Sequence, residues 1–269
     1  MYNYHTHTKR CNHAIGTDEE YIKAAIKAGY KGIGFTDHIM LPGINNSRIR
    51  ADFEVKDEYV STIRMLQNKY RYKIDIYLGF ECEYDRKYEK YYQSLLDNKE
   101  VDYLIFGNHG LYFKNGEKFL KINSHSKYLQ RYLKFALKGI RSGLFKIMAH
   151  PDIFMSSVPW NEQAIKVSKA ICKEAKKYNV TLEINCGCLI NEEKKEMFKE
   201  ERYRYPYAEF WKIAKKVGNT IVVGVDAHAP QALLSENKQL AYEFAKKLNL
   251  KVTDKLDISN VKRRVKNAK

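Results

Sequence analysis

The residues best suited to chemistry in this 269-residue chain are its imidazoles. His5 and His7 stand two apart in Asn3-Tyr4-His5-Thr6-His7. In an extended strand, side chains at i and i+2 share one face, so the pair could hold one metal ion together. Two ligands do not complete a site, but further donors recur along the chain. They are His13, His38 in Thr36-Asp37-His38, Glu81 in Gly79-Phe80-Glu81, His109 in Gly107-Asn108-His109, His150 in His150-Pro151, and Asp226 with His228 in Asp226-Ala227-His228. Imidazoles mixed with carboxylates suit zinc, iron or manganese and argue against calcium or magnesium alone. Packed without a metal, the same groups would be a crowd of titrating imidazoles with no evident gain in stability.

The elements that must position these donors alternate. Apolar runs at 2–6, 32–36, 74–79, 103–107, 146–149, 180–185 and 220–225 are separated by helical patterns at 18–28, 57–70, 87–96, 126–141, 161–178, 207–217 and 233–248. Thr17 with Glu20 three residues on is a capping-box pattern, and Gly29 and Gly218 punctuate helix ends. Seven strand–helix units predict a parallel α/β architecture as one domain over 1–269. No Gly-x-Gly-x-x-Gly follows an early strand and no Gly-Lys-Ser/Thr loop occurs, so a closed barrel fits better than an open nucleotide-binding sheet. In such barrels the active site lies at the C-terminal ends of the strands. Seven of the eight histidines fall at that face; His125 is expected at the start of a helix instead.

Composition limits the setting. At 44% hydrophobic and 30% charged the chain reads as a soluble globular protein, and no apolar run approaches the roughly 18–20 residues needed to span a bilayer. The opening residues lack the basic and apolar regions of a secretory leader. Five scattered cysteines imply no disulfide framework, so a cytoplasmic location is expected. The net charge of +16 could signal a nucleic-acid partner. The cations, however, are spread along helices and mixed with Glu; the one dense cluster is the tail at 261–269, so a solvated surface is expected rather than nucleic-acid binding. Cys186 and Cys188 are read as reduced residues near the barrel mouth.

Taken together, His5-x-His7, His13, Thr36-Asp37-His38, Gly79-Phe80-Glu81, His109, His150-Pro151 and Asp226-Ala227-His228 resemble the motifs of the polymerase and histidinol phosphatase (PHP) family. Tyr103 to His109, Glu183-Ile184-Asn185 and Tyr205-Pro206 resemble segments of its stand-alone histidinol-phosphatase type. The resemblance implies a distorted (β/α)7 TIM-like barrel with three divalent metal ions. By the family pattern His5, His7, Glu81 and Asp226 would bind the first, Glu81 with His109 and His150 the second, and His13, His38 and His228 the third. It implies a metal-dependent phosphomonoesterase, a hydrolase cleaving histidinol phosphate in histidine biosynthesis. A nucleotide phosphoesterase or exonuclease, or a non-catalytic metal-stabilised scaffold, are the alternatives.

Metals there would make hydroxide available near pH 7 for in-line attack on a small phosphorylated substrate. Asp226 is the candidate for handling a proton, with metal-bound water or His228 as alternatives. Asp37 is expected to orient the His38 ring. Arg48 and Arg50, in the loop after strand two, and Arg202 and Arg204, in the loop after strand six, are candidates to grip phosphate. Where the family subtype often carries an arginine shortly after Glu-Ile-Asn, this chain reads Cys186-Gly187-Cys188-Leu189-Ile190-Asn191, a departure that bears on the substrate more than on the metals.

Overall fold

Strands that are apolar on both faces survive only where both faces are covered, which favours a parallel sheet wrapped by helices. Residues 1–45, 47–109 and 124–258 are described by a computed structural model, and seven of its strands form one parallel sheet. The first six are β1 (Tyr2–Asn3), β2 (Gly32–His38), β3 (Asp75–Cys82), β4 (Tyr103–Gly107), β5 (Ile147–Ala149) and β6 (Thr181–Asn185). A separate antiparallel hairpin, β7 (Lys195–Met197) with β8 (Glu200–Arg202), precedes the seventh, β9 (Ile221–Gly224). Neighbours pair in chain order from β1 to β6 and then β9, and β2, β4, β5, β6 and β9 are buried throughout.

The sheet curls until its two edges meet. Thr6 and Ala227 form a parallel bridge, with His7 N donating to Ala227 O at 2.9 Å. At the opposite end β9 pairs instead with Val252, and Thr253 N donates to Ile221 O at 2.7 Å. Leu256 and Ile258 then close the barrel floor against Tyr4, Tyr103, Ile105, Ile147 and Val222. Tyr4 and Tyr103 are bulky for a barrel interior, and Gly34 makes room: a Cβ there would stand 2.0 Å from the Tyr103 hydroxyl oxygen.

The helices between the strands are α1 (Asp18–Lys27), α2 (Lys56–Tyr70), α3 (Glu89–Asp97), α4 (His125–Ser142), α5 (Glu162–Tyr178), α6 (Gly187–Asn191), α7 (Ala208–Val217), α8 (Pro230–Leu234) and α9 (Gln239–Lys247). The expected capping box of α1 is present, with Thr17 and Glu20 bonding reciprocally. Each long helix turns an apolar stripe inward; α5 buries Ala164, Val167, Ile171, Cys172 and Ala175. Fully burying a side chain such as Ile171 contributes about 1.5–3 kcal/mol.

The seven-unit barrel matches expectation, with three differences. The strand expected at 2–6 is a ladder only at Tyr2–Asn3 plus the Thr6 bridge. The helix expected at 233–248 is broken at Ser235, whose ψ of 131° leaves the helical region. The β7–β8 hairpin was not foreseen, because its charged residues carry no apolar alternation. Among the described residues no helix is long and apolar enough to cross a membrane. The basic tail at 261–269 lies outside them.

Candidate metal centre

The donors gather where the strands end. His5 and His7 follow β1, His38 closes β2, Glu81 sits near the end of β3, and His109 and His150 follow β4 and β5. Asp226 and His228 follow β9, and His13 reaches over from the loop before α1. His125 stands apart at the start of α4, capped by Ser124. Two donors occupy left-handed backbone, His150 at φ 31° and Asp226 at φ 54°. Such conformations cost about 1–3 kcal/mol in residues other than glycine and are held only where surrounding structure fixes them.

Sets of donor atoms lying within 4.8 Å of one another include His5–His7–Glu81, Glu81–His109–His150 and His7–His38–His228. Asp226 Oδ1 joins the first set, 3.2 Å from His5 Nε2 and 3.1 Å from His7 Nε2. Glu81 spans two sets, with Oε1 3.1 Å from His150 Nε2 and Oε2 3.5 Å from His7 Nε2, and Oε2 also lies 3.1 Å from His38 Nδ1. His13 Nε2 meets His228 Nε2 at 3.0 Å, and these two group with Cys11 rather than with His38.

The fit to metal can be tested on these atoms. Ligands about 2.0–2.2 Å from one tetrahedral ion stand about 3.3–3.6 Å apart, close to the spacings seen. Asp226 Oδ1, His7 Nδ1, His38 Nδ1 and His150 Nδ1 are buried and make no hydrogen bond. Asp226 Oδ1 and His38 Nδ1 nevertheless sit at contact distance from opposite donors, without hydrogen-bond geometry. Shared coordination would satisfy them, and the donor set fits a divalent ion.

Most of the rings are anchored through the nitrogen that faces away from the cluster. His5 Nδ1 meets Glu183 Oε1 at 2.9 Å and His109 Nδ1 meets Glu83 Oε1 at 3.0 Å, whereas His7 Nδ1 faces Asp37 Oδ1 at 3.5 Å without a hydrogen bond. His13 Nδ1 bonds the Cys11 carbonyl at 2.7 Å and His228 Nδ1 the Asp226 carbonyl at 2.9 Å. An Nδ1–H held this way sets the tautomer and aims the Nε2 lone pair inward. Glu183 also accepts the His150 backbone N–H and the Asn185 amide, which in turn donates to Asp226 Oδ2 at 3.2 Å. One carboxylate thereby ties together donors from β1, β5 and β9. Gly224 leaves it space: a Cβ there would stand 1.8 Å from Glu183 Oε1.

The charges respond to this crowding. Burial would lower His5 and His7, but Asp226 with Glu183 holds His5 well above its usual value, and Asp226 with Asp37 holds His7 at about 9. Burial and the neighbouring His7 push His38 and His228 down to about 4. Glu81 and Asp226 stay well below the carboxylate range despite burial, because imidazoles surround them. His5 and His7 are thus biased towards their protonated forms, and a bound cation would compete with those protons.

Several expectations are corrected. Asp37 does not orient the His38 ring: its Oδ1 accepts the His38 backbone N–H at 3.1 Å, and the carboxylate instead faces His7 and bonds the Thr8 hydroxyl. Arg50 is not placed to grip phosphate, because it is 1% exposed and donates to Ile39 O and to Glu83. Arg202 is spent on the carbonyls of Tyr203, Arg204 and Met155. Arg204 pairs with Glu192 and is half exposed, and Arg48 is exposed. The roles of Glu183 and Glu83 were not foreseen. Both had a signal: Glu83 shares the face of Glu81 at i+2, and a carboxylate inside apolar β6 demands a partner.

A parallel barrel with a multi-donor histidine–carboxylate centre at the strand ends defines a class of metal-centred barrels. The chain belongs to the PHP domain family, which it matches over residues 3–187. It is 32% identical over 154 residues to the "Probable histidinol-phosphatase" of Deinococcus radiodurans, covering 55% of this chain and 59% of that protein. A like-named protein of Schizosaccharomyces pombe is 31% identical over 114 residues. The chain thus spans 59% and 37% of the lengths of these two relatives. A crystal structure of histidinol phosphate phosphatase from Lactococcus lactis, complexed with zinc, L-histidinol and phosphate, superimposes with a TM-score of 0.70 at 18% identity, over 93% of this chain and 94% of that one.

Proposed function

We propose that the protein is a metal-dependent phosphomonoesterase that hydrolyses histidinol phosphate to histidinol and phosphate, within histidine biosynthesis. The observation that carries the reading is the convergence of Nε2 atoms from His5, His7, His109 and His150 on Glu81 and Asp226, with the first three rings aimed by outward partners. Membership of the PHP domain family and relatives named histidinol-phosphatase support the substrate.

His5, His7, Glu81 and Asp226 would hold one divalent ion, Glu81 with His109 and His150 a second, and His13, His38 and His228 a third. Such ions supply Lewis-acid stabilisation of phosphoryl charge and a hydrolytic nucleophile at neutral pH. The chain's own residues do the rest. Glu183, Glu83 and Asp37 keep the rings in register, and burial of the inner donors excludes bulk water from them. Asp226 Oδ2, whose protein partner is Asn185, is the oxygen through which this carboxylate would hold the leaving-group proton. Exposed Arg48 and half-exposed Arg204 would meet the phosphate.

The test is an assay of purified, manganese- or zinc-loaded protein on histidinol phosphate, mononucleotides and a short single-stranded oligonucleotide. Phosphate release from histidinol phosphate at much the highest kcat/KM is expected. Preference for nucleotides or cleavage of the oligonucleotide would replace this substrate, and loaded protein inert on all three would point to a scaffold.

A further inference from the structure

We infer that Arg50 and Glu83 form a buried positioning pair that fixes His109 as a metal ligand and links its strand end to the loop carrying His13. This rests on the metal-centre reading above. Arg50 lies in the segment between β2 and α2, far from β4 in sequence, yet its Nη2 donates to both oxygens of Glu83 at 3.2 and 3.1 Å. Glu83 Oε1 then accepts from His109 Nδ1 at 3.0 Å, leaving His109 Nε2 towards Glu81 Oε1 at 3.4 Å.

The guanidinium is anchored at its other end as well. Nη1 donates to Ile39 O at 2.7 Å, and the Arg50 carbonyl accepts from Asn12 Nδ2 at 2.9 Å, next to His13. The Glu83 main-chain carbonyl accepts from the Tyr92 hydroxyl at 2.9 Å, so α3 fixes the backbone from which this carboxylate projects. A continuous path therefore runs Asn12, Arg50, Glu83, His109, Glu81.

Fold stability is a weak reason for such a pair. Removing two charges from water offsets most of their attraction, and apolar replacements of equal volume often do as well. The exposed Arg141–Glu174 pair shows what an ordinary surface ion pair looks like in this protein, with Arg141 half exposed and touching no donor of the centre. Arg50–Glu83 differs in burial and in ending on a ring nitrogen whose partner nitrogen faces Glu81. One guanidinium nitrogen holds both oxygens of Glu83 while the other holds the Ile39 carbonyl, two fixed directions that a single ammonium does not reproduce.

The test measures metal retention as well as turnover. Wild type, Glu83→Gln, Arg50→Met, Arg50→Lys and the surface control Glu174→Gln would be loaded with zinc or cobalt and dialysed against chelators of increasing strength. Bound metal would be counted by elemental analysis and cobalt coordination followed by its visible absorption. Glu83→Gln and Arg50→Met should hold about one equivalent about 10–100-fold more weakly, with an altered cobalt spectrum. Arg50→Lys should lie between them and wild type, and Glu174→Gln should match wild type. In histidinol phosphate turnover kcat should fall more than KM.

If Arg50→Met does not fold by circular dichroism, Glu83→Gln and Arg50→Lys decide. Wild-type metal number, affinity and cobalt spectrum in both would overturn the inference while leaving the proposed function intact. A wild type that takes up no metal would overturn both.

Discussion

The two halves of the metal centre are held by different means. On the inner side, carboxylates stand behind His5, His7 and His109, and the first two rings are fully buried. On the outer side, main-chain carbonyls stand behind His13 and His228; His13 is exposed and the His228 side chain is 29% exposed. A carboxylate partner makes an imidazole a stronger donor than a carbonyl does, and burial keeps water from competing for the ion. The inner half should therefore retain metal where the outer half exchanges it.

The sharpest break of this contrast removes an inner donor. His5→Ala or Asp226→Ala should abolish nearly all turnover and release metal, whereas substantial residual activity in a folded variant would refute the inner site. Next in size is Glu183→Gln, which keeps the shape but loses the charge behind His5. It should lower metal affinity or activity about 10–100-fold, and unchanged retention would show that its hydrogen bonds are incidental. His228→Ala should cost less metal affinity than either. In wild type, a weak chelator should strip one equivalent first, and His228→Ala protein should lack that early fraction. Loss of all metal in a single step would erase the distinction between the halves.

The smallest expected effect is that of pH on the metal-free protein. His7 is raised from an unfolded value near 6.5 to about 9. Its contribution to stability is fully present below pH 6.5 and is lost as pH rises through 9. His38 and His228 are lowered to about 4, so their neutral form is favoured by folding, and that contribution fades as pH falls from 6.5 towards 4. Zinc added at pH 7 should accordingly release protons, seen as a calorimetric heat that depends on the buffer's ionisation enthalpy. Heats identical in all buffers would contradict the assignment of protons to His5 and His7.

Much of the centre was legible from residue types alone. His5, His38, Glu81 and Asp226 each stand where an apolar run gives way to a loop, and in a parallel barrel those points converge. The supports behind them were less legible for a physical reason. Arg50 and Glu83 are 33 residues apart and His5 and Glu183 are 178 apart, and such pairings follow from how the strands close, which no local pattern records. Arginine in a loop over the barrel mouth suggested phosphate, but burial decided for a carboxylate. The division of the segment expected as one helix at 233–248 was hidden similarly, because the apolar spacing continues through Ser235.

The bridge between Thr6 and Ala227 has a consequence for assembly of the active protein. It is the point where the first and last strands of the barrel touch, and each partner is flanked on both sides by donors: His5 and His7 around one, Asp226 and His228 around the other. The seam of the barrel and the heart of its chemistry are thus the same few residues. An ion drawing His5, His7 and Asp226 together would act as a clasp across that seam, so that acquiring the metal and completing the circle of strands become a single event.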